Sequence, residues 1–116
     1  MNDPTERILG DLVFEVQTRA VRFINVARGP RYNLPVIVTS GLRSTAEQAR
    51  LVRSGRSQTM RSKHLRGLAF DVDMLGWPRD AVPAWVWRQL GPLGESMGLT
   101  WGGSWVTFKD VGHFEL

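Results

Sequence analysis

The spacing of apolar residues changes along this chain, and that change limits the available folds more than any other feature. Ile8, Leu9, Leu12, Val13, Val16, Ala20, Phe23 and Ile24 recur at helical spacing, whereas Leu68-Ala-Phe-Asp-Val-Asp-Met74 alternates with the period of a strand. The first stretch predicts one amphipathic scaffold helix over about residues 4–28, with Asp3 as N-cap, Pro4 at the first helical position, Glu6 in the first turn and a stop at Gly29-Pro30. In the second stretch Leu68, Phe70, Val72 and Met74 face one way, and Ala69, Asp71 and Asp73 face the other.

Shorter signals fill the interval. Pro35-Val-Ile-Val-Thr39 is a β-branched run that predicts a strand, and Ser44-Thr-Ala-Glu47 is a capping box opening a helix to about Ser54-Gly55. Gly41, Leu42 and Arg43 therefore lie between a strand and a helix. Arg56 to Arg66 lacks apolar periodicity and reads as a loop, and Gly76-Trp-Pro reads as a turn. Pro83 to Met97 is a helical stretch interrupted at Gly91-Pro92, Trp101-Gly-Gly-Ser-Trp105 is a glycine-broken loop or strand edge, and His113-Phe-Glu-Leu116 alternates again. No repeat, linker or boundary divides the 116 residues, so a single domain over 1–116 is expected.

Composition narrows the chemistry. With no cysteine, disulfides and thiolate metal sites are excluded, and a transition metal must be held by His, Asp or Glu. The N-terminal stretch MNDPTERILGDLVFEV carries early acids and spaced apolar residues, unlike a secretory signal or a membrane span. A net charge of +4 favours an anionic contact, whether nucleic acid, wall polymer or lipid surface.

The two histidines, His64 and His113, each lie beside or on a predicted strand with acids nearby. A turn at Gly67 can bring His64 and Asp71 toward one point, and Asp110 arrives with His113 as a D-x-x-H step. Two imidazoles and one carboxylate are a common catalytic zinc set, with the fourth position left for water. A further carboxylate outside the metal shell then moves the water's proton, and Asp110 is the candidate. From spacing alone, ordinary surface histidines are an equally admissible reading.

The surrounding letters tip that balance. Ser62-Lys-His64-Leu-Arg-Gly67-Leu-Ala69-Phe-Asp71 fits S-x-H-x-x-G-x-A-x-D, and Asp110-Val-Gly-His113-Phe-Glu fits D-x-x-H-F-E. With Ser40-Gly41-Leu-Arg43-Ser44 and Trp101-Gly-Gly-Ser-Trp105, the chain from about residue 36 to its end resembles the zinc L-alanyl-D-glutamate peptidases of bacteriophage endolysins, in the D-alanyl-D-alanine carboxypeptidase superfamily. The resemblance implies a small α+β domain whose antiparallel sheet bears one zinc ion on His64, Asp71 and His113, with Asp110 as the catalytic carboxylate. It also implies that Arg43 points into the cleft to hold an oxyanion or a substrate carboxylate, and that Ser62 sits at the rim to bind substrate or orient a ligand.

Other roles compete at several positions. Asp73 shares a strand face with Asp71 and is an alternative ligand; Glu115 shares a face with His113 and competes as base or hydrogen-bonds a ligand imidazole. Arg43 can instead be a helix-start or surface arginine. Trp101 and Trp105 fill core or wall a substrate groove, and Gly102 and Gly103 would let a substrate backbone approach. The basic cluster Arg43, Arg50, Arg53, Arg56, Arg61, Lys63 and Arg66 is a solvated face or a means of steering toward anionic wall or envelope polymers.

The resemblance implies a peptidoglycan endopeptidase acting on the stem peptide in bacterial cell-wall lysis, made in the host cytoplasm without a signal peptide and reaching the wall by holin-type release. A monomer with no transmembrane segment and no specific nucleic acid partner is expected. A D,D-carboxypeptidase or D,D-dipeptidase of the same superfamily, and a non-catalytic basic binder of wall or nucleic acid, are the rival functions. Short length, the absent signal and Asp110 in place of Glu favour the endopeptidase.

Overall fold

The computed structural model describes residues 3–107 and 109–116; Met1 and Asn2 of the N-terminal stretch lie outside the described residues. Helices α1 (Thr5–Leu9) and α2 (Phe14–Arg28) precede strand β1 (Val36–Ser40), and α3 (Thr45–Arg53) leads through a loop to strand β2 (Ala69–Met74). Helix α4 (Ala84–Ser96) and strands β3 (Thr100–Trp101) and β4 (His113–Glu115) complete the chain. The strands form one antiparallel sheet in the order β1-β2-β4-β3, giving the expected α+β architecture.

The alternation read in β2 decides the two faces of the sheet. Phe70, Val72 and Met74 join Val36, Val38 and Phe114 beneath Val16, Ala20, Phe23 and Ile24 of α2 and Val86 and Leu90 of α4, all buried. Within this layer Phe23 and Phe114 pack with ring centroids 4.7 Å apart and planes tilted by 47°. The opposite face carries a polar row. Register sets Asp71 beside both Ser40 and His113, and a shift between Val38 and Ser40 aims the end of β1 into that row.

Two helical expectations need correction. The single N-terminal helix over about 4–28 is two helices, broken at 10–13. At the break, the Val13 amide donates to the Gly67 carbonyl at 3.0 Å, while Gln17 Nε2 donates to Leu9 O at 2.9 Å and satisfies a terminal carbonyl of α1. The turn sends α1 over β1, where Thr5 Oγ1 accepts from the Val38 amide at 2.9 Å. Asp3 does bond the helix start, accepting from the Thr5 amide at 3.0 Å, but the helix opens at Thr5, with Pro4 as its capping residue.

The second correction concerns α4, which runs through Gly91-Pro92 without interruption. Pro92 removes only the bond to Arg88 O, and both residues are exposed, so water can serve that carbonyl. Gly91 and Gly94 face inward: a Cβ at Gly91 would lie 2.3 Å from the Trp101 ring, and one at Gly94 would lie 2.5 Å from the Phe114 ring. Local propensity reads Gly91-Pro92 as a break, whereas the packed structure uses Gly91 and Gly94 to seat the helix on two aromatic rings. Elsewhere the loop expected over 56–66 closes in a 3₁₀ turn at Lys63–Arg66, which Gly67 ends at φ 69°.

Candidate metal centre

Three elements deliver the side chains that could hold a metal ion. Asp71 and His113 are register partners on β2 and β4, and the 3₁₀ turn after Ser62 swings His64 over them. His64 Nε2 stands 3.3 Å from His113 Nδ1 and 3.3 Å from Asp71 Oδ2, while His113 Nδ1 stands 3.0 Å from Asp71 Oδ1. Bonds of about 2.0–2.1 Å at tetrahedral angles set neighbouring donors ~3.3 Å apart. The two imidazole nitrogens stand at that separation, each with one Asp71 oxygen beside it, Oδ2 for His64 and Oδ1 for His113. The three side chains can offer a triangle of donors, one each, within 4.8 Å of one another.

The outer ring atoms fix which nitrogen faces the triangle. His64 Nδ1 donates to the Gly41 carbonyl at 2.7 Å; a carbonyl only accepts, so the lone pair of the neutral ring is left on Nε2. His113 Nε2 pairs with Glu115 Oε1 at 2.8 Å, which directs Nδ1 inward. Both imidazoles are buried, and each has the second hydrogen bond that metal-ligating histidines use. The donor set fits Zn²⁺.

Charge is concentrated here. Burial raises the Asp71 pKa, yet hydrogen bonds from His113 and His64, with their charges, outweigh burial and hold the carboxyl well below its usual range. Burial opposes charge on His113, but Asp71 and Glu115 push the imidazole up to about 9. The His113 hydrogen bond is also the main influence that lowers Glu115, with Lys63 Nζ adding to it at 3.1 Å. Asp110 goes the other way: burial and the nearby Asp71 charge both raise it.

Asp110 lines the same cleft as the three donors, a space of about 1350 Å³. The segment bearing it is packed tightly, since a Cβ at Gly102 would lie 2.3 Å from the Asp110 carbonyl oxygen. Glu115 is occupied behind His113, on the ring nitrogen directed away from the triangle. Asp73 is turned from the triangle: its Oδ1 accepts from the Met74 amide at 3.0 Å and its Oδ2 lies 3.7 Å from Arg79 Nε.

Arg43 reaches in from the turn between β1 and α3. Its Nη2 donates to Ser40 Oγ at 3.0 Å and lies 3.5 Å from Asp71 Oδ2, while Nη1 donates to Gln48 Oε1 at 2.8 Å; its buried Nε has no partner. Ser62 lines the cleft, and its Oγ accepts from the His64 amide at 3.2 Å. Trp105 also lines it, with its ring centroid 5.0 Å from that of His113. Trp101 stands apart from the cleft, packed against the apolar layer with Nε1 donating to Val111 O at 2.7 Å.

Sequence reasoning passed over Gln48 and Gly41. Gln48 is fully buried, and besides accepting from Arg43 it donates through Nε2 to Ser57 Oγ at 2.9 Å and Thr59 O at 2.6 Å. Its one sequence signal is position: it lies four residues after the Ser44 cap, facing inward on a short helix otherwise rich in arginine. Gly41 supplies the carbonyl that orients His64, and nothing local marks it beyond the Ser40-Gly41 pair.

Two buried imidazoles and a half-buried carboxylate, beside an acid and a guanidinium in an open cleft, form a group that could hold a metal ion. The family model described as D-alanyl-D-alanine carboxypeptidase matches residues 55–116, and the chain belongs to this family. It is similar to the L-alanyl-D-glutamate peptidase of Listeria phage A118, at 34% identity over 88 residues, covering 72% of this chain and 31% of that protein. The peptidoglycan L-alanyl-D-glutamate endopeptidase CwlK of Bacillus subtilis strain 168 is 28% identical over 104 residues, covering 72% of this chain and 61% of that one. The chain therefore spans less than two thirds of the length of either relative. Among solved structures, the L-Ala D-Glu endopeptidase ChiX of Serratia marcescens superposes with a TM-score of 0.71 at 35% identity, over 97% of this chain and 85% of that chain. A vancomycin resistance D,D-pentapeptidase VanY, solved with Zn(II), shares the fold at a TM-score of 0.67 and 18% identity, over 90% of this chain and 71% of that chain.

Proposed function

We propose that this protein is a zinc-dependent peptidoglycan endopeptidase that hydrolyses the L-alanyl-D-glutamate bond of the stem peptide, in the manner of a phage endolysin. The observation that carries the reading is the donor triangle of His64, Asp71 and His113 with Asp110 on the same cleft. His64, Asp71 and His113 would hold the zinc, which would supply a Lewis acid and, as a catalytic zinc does, lower the pKa of water toward ~7.

The remaining work falls to the chain. Asp110, ionised, accepts the nucleophile's proton and returns it to the leaving amine, a role suited to a carboxyl whose pKa is raised. Arg43 lines the cleft with its Nη2 between Ser40 Oγ and Asp71 Oδ2, which puts its positive charge where it can meet negative charge on the substrate or on the developing oxyanion. Ser62 and Trp105 wall the peptide's path. The basic face steers the protein toward anionic wall or envelope polymers. Synthesis in the cytoplasm, holin-type release and a monomeric state belong to the same proposal; among the described residues no helix is long and apolar enough to cross a membrane.

Digestion of purified muropeptides with mass analysis tests this reading. New N-terminal D-Glu and free L-Ala ends support it. Release of terminal D-Ala with the L-Ala to D-Glu bond intact replaces it with a D,D-carboxypeptidase. A folded, zinc-free protein that binds wall or DNA without cleavage replaces it with the basic binder.

A further inference from the structure

The cleft is longer than its metal end. Away from the triangle it runs along the loop between α3 and the 3₁₀ turn, where Arg56 and Arg61 line it with their side chains exposed. Among the described residues, Arg50 has Glu47 as ion-pair partner at 3.9 Å, whereas no carboxylate lies within ion-pair reach of Arg56 or Arg61. Two exposed guanidinium groups without a carboxylate partner put positive charge on this end of the groove, where a planar fork is suited to a carboxylate.

That loop is built rather than free. The amides of Arg56 and Ser57 both donate to the Leu51 carbonyl, at 2.9 and 3.1 Å, and the Arg61 amide donates to Thr59 Oγ1 at 2.9 Å. Buried Gln48 holds Ser57 and Thr59 through its amide nitrogen and Arg43 through its oxygen, so one side chain ties the loop to the metal end.

We propose that the loop bearing Arg56 and Arg61 is a second anion subsite of the cleft, which reads a carboxylate of the substrate peptide away from the scissile bond, with Gln48 as the residue that positions it relative to Arg43. Because the two arginines line the same cleft as the metal donors, the anion they meet belongs to the peptide lying in that cleft. The substrate class is thus an acidic stem peptide with a free side-chain carboxylate, as in diaminopimelate, rather than its carboxamide. The inference rests on the peptidase reading.

Calorimetry with the zinc-loaded protein tests it, using a product peptide that begins at D-Glu and carries either free or amidated diaminopimelate. The acidic form should bind about fivefold more tightly at low salt, and the preference should shrink as salt rises. Arg56→Gln with Arg61→Gln should abolish the preference while zinc content and thermal midpoint stay at wild-type values. Gln48→Ala should reduce the preference and also raise KM for the acidic tetrapeptide more than for the amidated one, a split that general loss of stability would not produce. Equal affinity for the two peptides, or a preference that survives the double arginine variant, overturns the proposal. Turnover of the intact tetrapeptides reports separately: an arginine-dependent preference with neither peptide cut keeps the subsite and removes the endopeptidase reading.

Discussion

His64 and Gly41 hold each other in place across the cleft floor: the Nδ1 of His64 donates to the Gly41 carbonyl at 2.7 Å, and two residues later the Arg43 amide donates back to the His64 carbonyl at 2.9 Å. The β1–α3 turn and the metal-binding turn are thus one unit, and Gly41 is pressed from behind by α1. A Cβ at Gly41 would lie 2.6 Å from Ile8 Cγ2 and 3.3 Å from Leu12 Cδ2. Gly41→Ala should therefore displace the carbonyl that orients His64, weakening zinc binding by about tenfold or more and costing about 1–3 kcal/mol of stability. Chelator competition and urea unfolding measure both. Adding Ile8→Ala makes room for the new methyl and should restore much of the zinc affinity; no recovery would mean that the effect does not pass through α1.

In the proposed reaction Asp110 would separate catalysis from metal binding. It lies outside the donor triangle but on the same cleft, so Asp110→Asn should reduce turnover by about 10²–10⁴-fold and leave about one zinc per chain. His64→Ala or His113→Ala should lose both metal and activity. Near wild-type turnover in the Asp110 variant would overturn its assignment as the base.

Glu115 acts through His113. Its Oε1 faces the outer ring nitrogen at 2.8 Å while Lys63 holds Oε2 at 3.1 Å, so Glu115→Ala frees the ring to rotate. Zinc affinity should fall by about 10–100-fold, as for other residues that orient metal-bound histidines. Glu115→Gln retains an acceptor oxygen and should recover part of that loss, a difference that chelator competition resolves.

The face of β2 that bears Asp71 was legible because alternation is enforced by the pleat, and the two histidine motifs were legible because they are local. The break after Leu9 was not. Leu9, Leu12 and Val13 continue the helical period across it, and the Gly67 carbonyl that captures the Val13 amide is distant in sequence. The unbroken α4 was missed for the related reason that Gly91 and Gly94 answer to Trp101 and Phe114, not to helix propensity. Gln48 was invisible because a glutamine on a short arginine-rich helix looks solvated until its partners Arg43, Ser57 and Thr59 are seen to enclose it.

Proton and zinc compete at His113, which sets opposite pH responses for the metal-free and zinc-loaded protein. Without metal, both ring nitrogens face carboxylates, Nδ1 toward Asp71 and Nε2 toward Glu115, and the imidazole pKa rises from 6.5 to about 9. A pKa raised by folding stabilises the native state fully below the unfolded value, and that stabilisation is lost as pH climbs through the folded value. The metal-free protein should therefore lose stability between pH ~6.5 and ~9. Zinc requires the Nδ1 lone pair, so its uptake at pH 7 should release about one proton, and apparent affinity should rise by about tenfold per pH unit across much of the same window. Calorimetric titrations in buffers of differing ionisation enthalpy count that proton. A pH-independent affinity with no proton released would show that His113 is already neutral before the metal arrives, and that Asp71 and Glu115 do not hold the charge that their geometry assigns them.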